Sequence, residues 1–262
     1  MKFELGCHLD YDITADSTFF FNIRALENQN QQIIKQNLKI DPDYKVEEYV
    51  DRDRLNNFFR LNVSEGKLVV DYQATVDLSP PDRDTDAEEI LPKNLPLNVV
   101  PYLYPSRYCQ SDRLMKLAQD EFGECQPGYQ KVEAICDWIY SKIDYISGSS
   151  DSQTSAYDTA IERAGVCRDF AHLGIAFCRA LGIPARFVSA YAWQLDPPDF
   201  HACFEAYLGD RWYIFDATRL APTDGLVRIG MGKDAADTAF ATVFGAFGLN
   251  KMDVYIEKVD VG

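Results

Sequence analysis

Gly165-Val166-Cys167-Arg168-Asp169-Phe170-Ala171-His172 is the stretch from which the rest of the chain can be ordered. Downstream of it, Phe170, Leu173, Gly174, Phe177, Cys178 and Leu181 recur at helical spacing, and Gly182-Ile183-Pro184 stops the run. Cys167 therefore belongs to the first turn of a helix. The N–H groups of that turn have no partner within the helix, and the positive end of the helix dipole favours thiolate over thiol. Thiolate is the nucleophile of covalent acyl chemistry. Gly165 leaves room for a substrate backbone, and the Cys167 N–H is a candidate donor to an oxyanion.

A thiolate that expels an amine needs a proton donor, and the chain has three histidines. His8 lies far away along the sequence. His172 is five residues past Cys167, about 140° around the same helix, and faces elsewhere. His201, at the start of Phe200-His201-Ala202-Cys203-Phe204-Glu205, is left. Gly209-Asp210 reads as the turn between this strand and Arg211 to Asp216. That hairpin pairs positions whose numbers sum to about 419, which sets Asp216 close to His201 across the strands. A carboxylate there can orient the imidazole.

Outward from this centre, the periods divide the chain. Upstream, three helical stripes are expected. One starts at Ser111, runs through Leu114 and Phe122 and closes at Gly123. The second runs from Val132 to Ile143, and the third from Ala156 to Gly165. Strands are expected from Ala185 to Trp193, His201 to Leu208 and Arg211 to Asp216. The first eighty residues alternate instead. Leu68, Val70, Tyr72, Ala74, Val76 and Leu78 share one face, and a turn at Glu65-Gly66 joins them to Phe59, Leu61 and Val63. Ser79-Pro80-Pro81-Asp82 breaks that pattern. The fold expected is α+β, with an N-terminal antiparallel β domain (1–82, sandwich-like), a linker (83–105) and a domain of helices on an antiparallel sheet (106–262).

Lys and Arg total 26 against 41 Asp and Glu, a net charge of −15. Such a surface repels phosphate backbones and anionic lipid, so neither nucleic acid nor membrane is an expected partner. No apolar run marks a leader or a span. The seven cysteines are scattered and odd in number, which suits free thiols in the cytoplasm better than a disulfide framework.

Four blocks carry a resemblance. They are Gly165 to Leu173, Arg179-Ala180-Leu181-Gly182-Ile183-Pro184-Ala185-Arg186, His201-Ala202 and Asp216-Ala217-Thr218. Together they resemble the transglutaminase-like superfamily, and most closely its bacterial cysteine-protease branch with an N-terminal β domain. The resemblance implies a papain-like arrangement with Cys167 as nucleophile, His201 as general acid/base and Asp216 as orienter. It implies amide hydrolysis or acyl transfer with no cofactor and no metal, on a peptide or protein substrate. Two positions depart from the pattern: Cys203 stands where many relatives have tryptophan, and Ala217 where many have proline.

Each residue also has a plainer role. Cys167 could be a small core side chain, His201 a hydrogen-bonded core histidine, and Asp216 a turn residue. Cys178, about 16 Å deeper on the Cys167 face, is expected in the core. Cys203 shares a strand face with His201, which raises a Cys167-His201-Cys203 metal site as a minor alternative. Three functions follow. The first is cysteine-dependent hydrolysis of an amide through an acyl-thioester. The alternatives are transfer of that acyl group to an amine, and a retired fold that binds a protein partner. The second oxyanion donor is sought between Tyr145 and Ser155. The stretch after Asp216 is left with two roles, folding over the site or joining the domains.

Overall fold

The computed structural model describes residues 1–53 and 55–259. Period-two alternation along the first eighty residues yields six strands: β1 (Lys2–Ile13), β2 (Ser17–Phe21), β3 (Gln31–Asp41), β4 (Glu47–Val50), β5 (Asn57–Val63) and β6 (Gly66–Leu78). Four helices follow, interrupted by short strands: α1 (Ser111–Phe122), α2 (Tyr129–Lys142), β7 (Asp144–Tyr145), α3 (Ala156–Glu162), β8 (Ala164–Gly165) and α4 (Cys167–Ala180). The chain then runs through β9 (Ala185–Ala192), β10 (Phe200–Leu208), β11 (Arg211–Phe215), β12 (Leu226–Gly232), β13 (Ala241–Phe244) and β14 (Phe247–Val259).

Two four-stranded sheets, ordered β14-β1-β6-β3 and β13-β2-β5-β4, form the N-terminal sandwich. Their inward residues pack as one core, including Leu9, Tyr11, Phe19, Phe21, Phe59 and Tyr72. The Tyr11 ring meets Phe19 at 5.1 Å, edge on. The antiparallel sandwich and the helix-on-sheet core are the expected α+β architecture.

Sheet membership crosses the expected boundary at 106. β14 pairs with β1 from Lys2↔Val259 to Ile13↔Phe247, and β13 pairs with β2. Residues 241–259 thus complete the N-terminal sheets rather than the 106–262 unit. The cause is edge satisfaction: without these strands β1 and β2 would present unpaired backbone to water.

The third sheet, β11-β10-β9-β12, carries the candidate site. α4 lies across it, and α1, α2 and α3 pack on α4. Gly174 sets the approach of helix to sheet. A Cβ there would come within 2.6 Å of the Phe204 ring, so only glycine lets α4 sit down on β10. The hairpin register is Leu208↔Arg211 to Phe204↔Phe215, whose numbers sum to 419 as the turn at Gly209 requires.

The stretch after Asp216 joins the domains. β12 pairs with β9 and exchanges backbone hydrogen bonds with the sandwich, from Leu26 N to Arg228 O (2.9 Å) and from Met231 N to Leu55 O (2.9 Å). Tyr191 of β9 donates its hydroxyl to Ile23 O at 2.8 Å, and Tyr191, Val227 and Ile229 extend the sandwich core. No helix among the described residues is long and apolar enough to cross a membrane.

Candidate active site

Cys167 is the first residue of α4 and is partly exposed. Asp169 secures this end of the helix: its carboxylate accepts the Val166 N–H at 2.9 Å and is itself fully buried. Arg168 donates to the same carboxylate at 3.0 Å and to Asp151 O at 2.6 Å, which ties the 151 loop to the helix start. Gly165 also serves the helix start. A Cβ there would meet the Asp169 Cβ at 2.7 Å, so the glycine makes room for the capping side chain.

β7 brings a second side chain to the thiol. Tyr145 pairs with Gly165, and Ile146 N donates to Gly165 O at 3.0 Å. The Tyr145 ring rests on Phe170 at 5.7 Å. Its hydroxyl lies against the backbone N–H and side chain of Cys167. The phenol is pushed up to about 12, chiefly by burial and next by negative charge on Cys167.

His201, the second residue of β10, is 2 % exposed. Its Nε2–H donates to Asp216 Oδ2 at 2.8 Å. Asp216 follows β11, and its other oxygen accepts the Thr218 N–H at 2.9 Å and the Thr218 hydroxyl at 2.7 Å. With Nε2 engaged, Nδ1 is the nitrogen left for Cys167. It is buried and makes no closed hydrogen bond. A loose thiol–imidazole contact is common before substrate arrives.

Charge on His201 is favoured nonetheless. Burial acts against the imidazolium. The hydrogen bond to Asp216, the contact with Cys167 and the negative charges of both outweigh it, and the pKa rises from 6.5 to about 10. The structure thus pairs His201 with Asp216 and sets Cys167 near enough for its charge to act on the ring.

The remaining candidates fall into the packing. His172 is fully buried, stacked on Tyr108 at 5.0 Å, and its Nε2 accepts the Ala235 N–H at 3.1 Å. Burial lowers it to about 3, so it stays neutral. Cys203 is 1 % exposed among Val188, Ala190, Leu226 and Met231. Burial first, and the Asp216 charge second, hold its thiol well above the ordinary range. Among the described residues no group of three His, Cys, Asp or Glu side chains is placed to hold a metal. Cys178, on α4 itself, is a core residue. Below the site, Glu205 accepts from Arg186 (Nε, 2.7 Å) and from Arg228 (Nε, 2.8 Å), which locks β9, β10 and β12 together.

Sequence reasoning gave Thr218 and Tyr145 no roles, although both lie in segments it had marked. A serine or threonine two residues after an aspartate is the local signal that the carboxylate is being held.

The profile of the transglutaminase-like superfamily matches residues 115–217, a span that contains Cys167, His201 and Asp216. The N-terminal domain of bacterial transglutaminases matches residues 1–93. A crystal structure from Cytophaga hutchinsonii, whose name assigns it provisionally to the cysteine proteases, is 49% identical. It covers 100% of this chain and 92% of its own, with a TM-score of 0.96. The chain belongs to the transglutaminase-like superfamily. An uncharacterised protein of Mycobacterium leprae is 32% identical over 136 residues, 48% of each chain, so this chain spans about half the length of that relative. An uncharacterised protein of Mycobacterium bovis is 27% identical over 237 residues, 79% of this chain and 74% of its own.

Proposed function

We propose that this transglutaminase-like protein hydrolyses an amide bond of a peptide or protein through an acyl-thioester on Cys167. The observation that carries the proposal is the buried hydrogen bond between His201 Nε2 and Asp216, which orients the ring and leaves Nδ1 uncommitted.

In the first step the Cys167 thiolate attacks the carbonyl carbon and the carbonyl oxygen takes up the negative charge. The Cys167 N–H at the helix start is the donor that takes up that charge in this reading. As the C–N bond breaks, His201 passes its Nδ1 proton to the departing amine. His201 is then neutral and removes a proton from water, which attacks the thioester. Cys167 leaves as thiolate and the product is a carboxylic acid. Asp216 keeps its place throughout, fixing the ring and balancing its charge.

A second reading keeps the thioester and delivers it to an amine in place of water. The match of residues 1–93 to a domain named for bacterial transglutaminases supports testing it. Purified protein is incubated with a casein substrate and a fluorescent primary amine, with release of new termini followed in parallel. New termini without amine incorporation are expected, and Cys167→Ala abolishes them. Turnover that persists undiminished in Cys167→Ala would rule the thioester out. Amine incorporation would select the second reading.

A further inference from the structure

Cys167 opens α4, and β7 is bound to the short strand that leads into it. Asp144 N donates to Arg163 O at 2.8 Å, Ile146 N donates to Gly165 O at 3.0 Å, and Tyr145 pairs with Gly165. The Tyr145 backbone is thereby held beside the residue that stands two before Cys167. Its ring rests on Phe170, 5.7 Å between centroids, and Phe170 is itself buried. Phe170 lies three residues past Cys167, on the same face of the helix. A ring laid on Phe170 from a strand fixed at Gly165 carries its hydroxyl back to the start of α4.

Cys167 supplies the groups that lie against this hydroxyl, its backbone N–H and its side chain. The N–H is a donor, so the phenol oxygen accepts from it and keeps its own hydrogen for the sulfur. Burial first, and negative charge on Cys167 next, push the phenol up to about 12. Tyr145 therefore holds its hydrogen wherever the thiol is at work, as a donor and not a base.

The charged groups nearby do not take this place. Arg168, the cation beside Cys167 on α4, is committed to Asp169 and to Asp151 O. Asp169 accepts the Val166 N–H and is fully buried. Asp199, just before β10, acts electrostatically on both Tyr145 and His201 and adds negative charge. His201 is the cationic partner of the sulfur, and the Tyr145 hydroxyl is an uncharged one on another element.

We propose that Tyr145 is a second hydrogen-bond donor to the Cys167 thiolate, acting beside His201 and not through it. Hydrogen bonds to an anion are about twice as strong as neutral ones, so one hydroxyl changes how much thiolate is present at neutral pH. The role rests on Cys167 being the nucleophile. It is the same whether the acyl group passes on to water or to an amine.

Iodoacetamide alkylation of Cys167 in the full chain tests this, because it reads the thiolate without any acyl substrate. Tyr145 is half-exposed, and Tyr145→Phe keeps the ring on Phe170 while removing one oxygen. At about pH 7 this variant is expected to react at least threefold more slowly than the native protein, and the deficit should close by about pH 9.5, where base removes the proton. Altered packing alone would slow the reaction equally at every pH. Tyr49→Phe, on β4, should react as the native protein does, and thermal melts establish that the variants are folded. Adding Tyr145→Phe to His201→Ala should slow the reaction further. A native rate in Tyr145→Phe, an equal deficit at every pH, or no added effect in the double variant would each overturn the inference. A native Cys167 no faster than Cys125 would overturn it together with the nucleophile. Failure of casein turnover with the Tyr145→Phe deficit intact would overturn the amide reading alone.

Discussion

His201 Nε2 lies 2.8 Å from Asp216 Oδ2, with the two side chains 1% and 2% exposed. Taking a histidine out of water should discharge it, yet here the carboxylate and the neighbouring thiol raise its pKa from 6.5 to about 10. In the folded protein His201 is therefore expected to stay protonated at neutral pH and to titrate near about 10, as followed by imidazole NMR. Asp216→Asn removes the charge that offsets burial, and the transition should then drop by more than one pH unit.

The same shift makes stability depend on pH. The folded state holds the proton more tightly than the unfolded state, so His201 contributes its full stabilisation below about 6.5. That contribution declines as pH rises from there through about 10. Denaturation midpoints measured between pH 6 and 10 should fall in the native protein. Asp216→Asn should flatten the curve.

Glu205 illustrates the opposite sign. Burial raises its carboxyl, but the charges and hydrogen bonds of Arg186 and Arg228 prevail and lower it to about 2. Its stabilisation is present above the ordinary 4.5 and is lost as pH falls toward 2. Glu205→Ala leaves two buried guanidinium groups without an acceptor. A loss of about 3–5 kcal/mol in denaturant unfolding is expected.

Gly174→Ala places a methyl within 2.6 Å of the Phe204 ring. Phe204 cannot withdraw, because it stacks on Phe215 at 5.7 Å and belongs to the strand that carries His201. The expected cost is about 1–3 kcal/mol by thermal melt. Slower Cys167 alkylation should accompany it, since α4 and β10 carry the two reacting groups.

A chain ended at Phe240 should fail to fold as a soluble monomer. It would lose β13 and β14 and expose the lengths of β1 and β2. Size-exclusion chromatography and circular dichroism of the truncated protein check this. A soluble monomer with native spectra would show the sandwich to be complete without them.

Much of this architecture is written locally. The apolar spacing after Cys167 fixes α4, and Gly209-Asp210 sets a hairpin register that places Asp216 by His201. The pairing of β1 with β14 is not written locally, because nothing near Lys2 specifies a partner 257 residues on at Val259. The packing of Gly165 is not written locally either. Only the folded backbone shows that the Asp169 side chain needs the space a Cβ would fill.

The most direct test is the rate of iodoacetamide alkylation at each cysteine of the native protein as a function of pH, read by mass spectrometry. Cys125, also partly exposed, is the internal reference. Cys167 is expected to be alkylated at least tenfold faster than Cys125 at neutral pH. His201→Ala should slow it at least tenfold. A Cys167 profile that follows Cys125, or is unchanged in His201→Ala, would contradict a thiolate held by the His201–Asp216 pair.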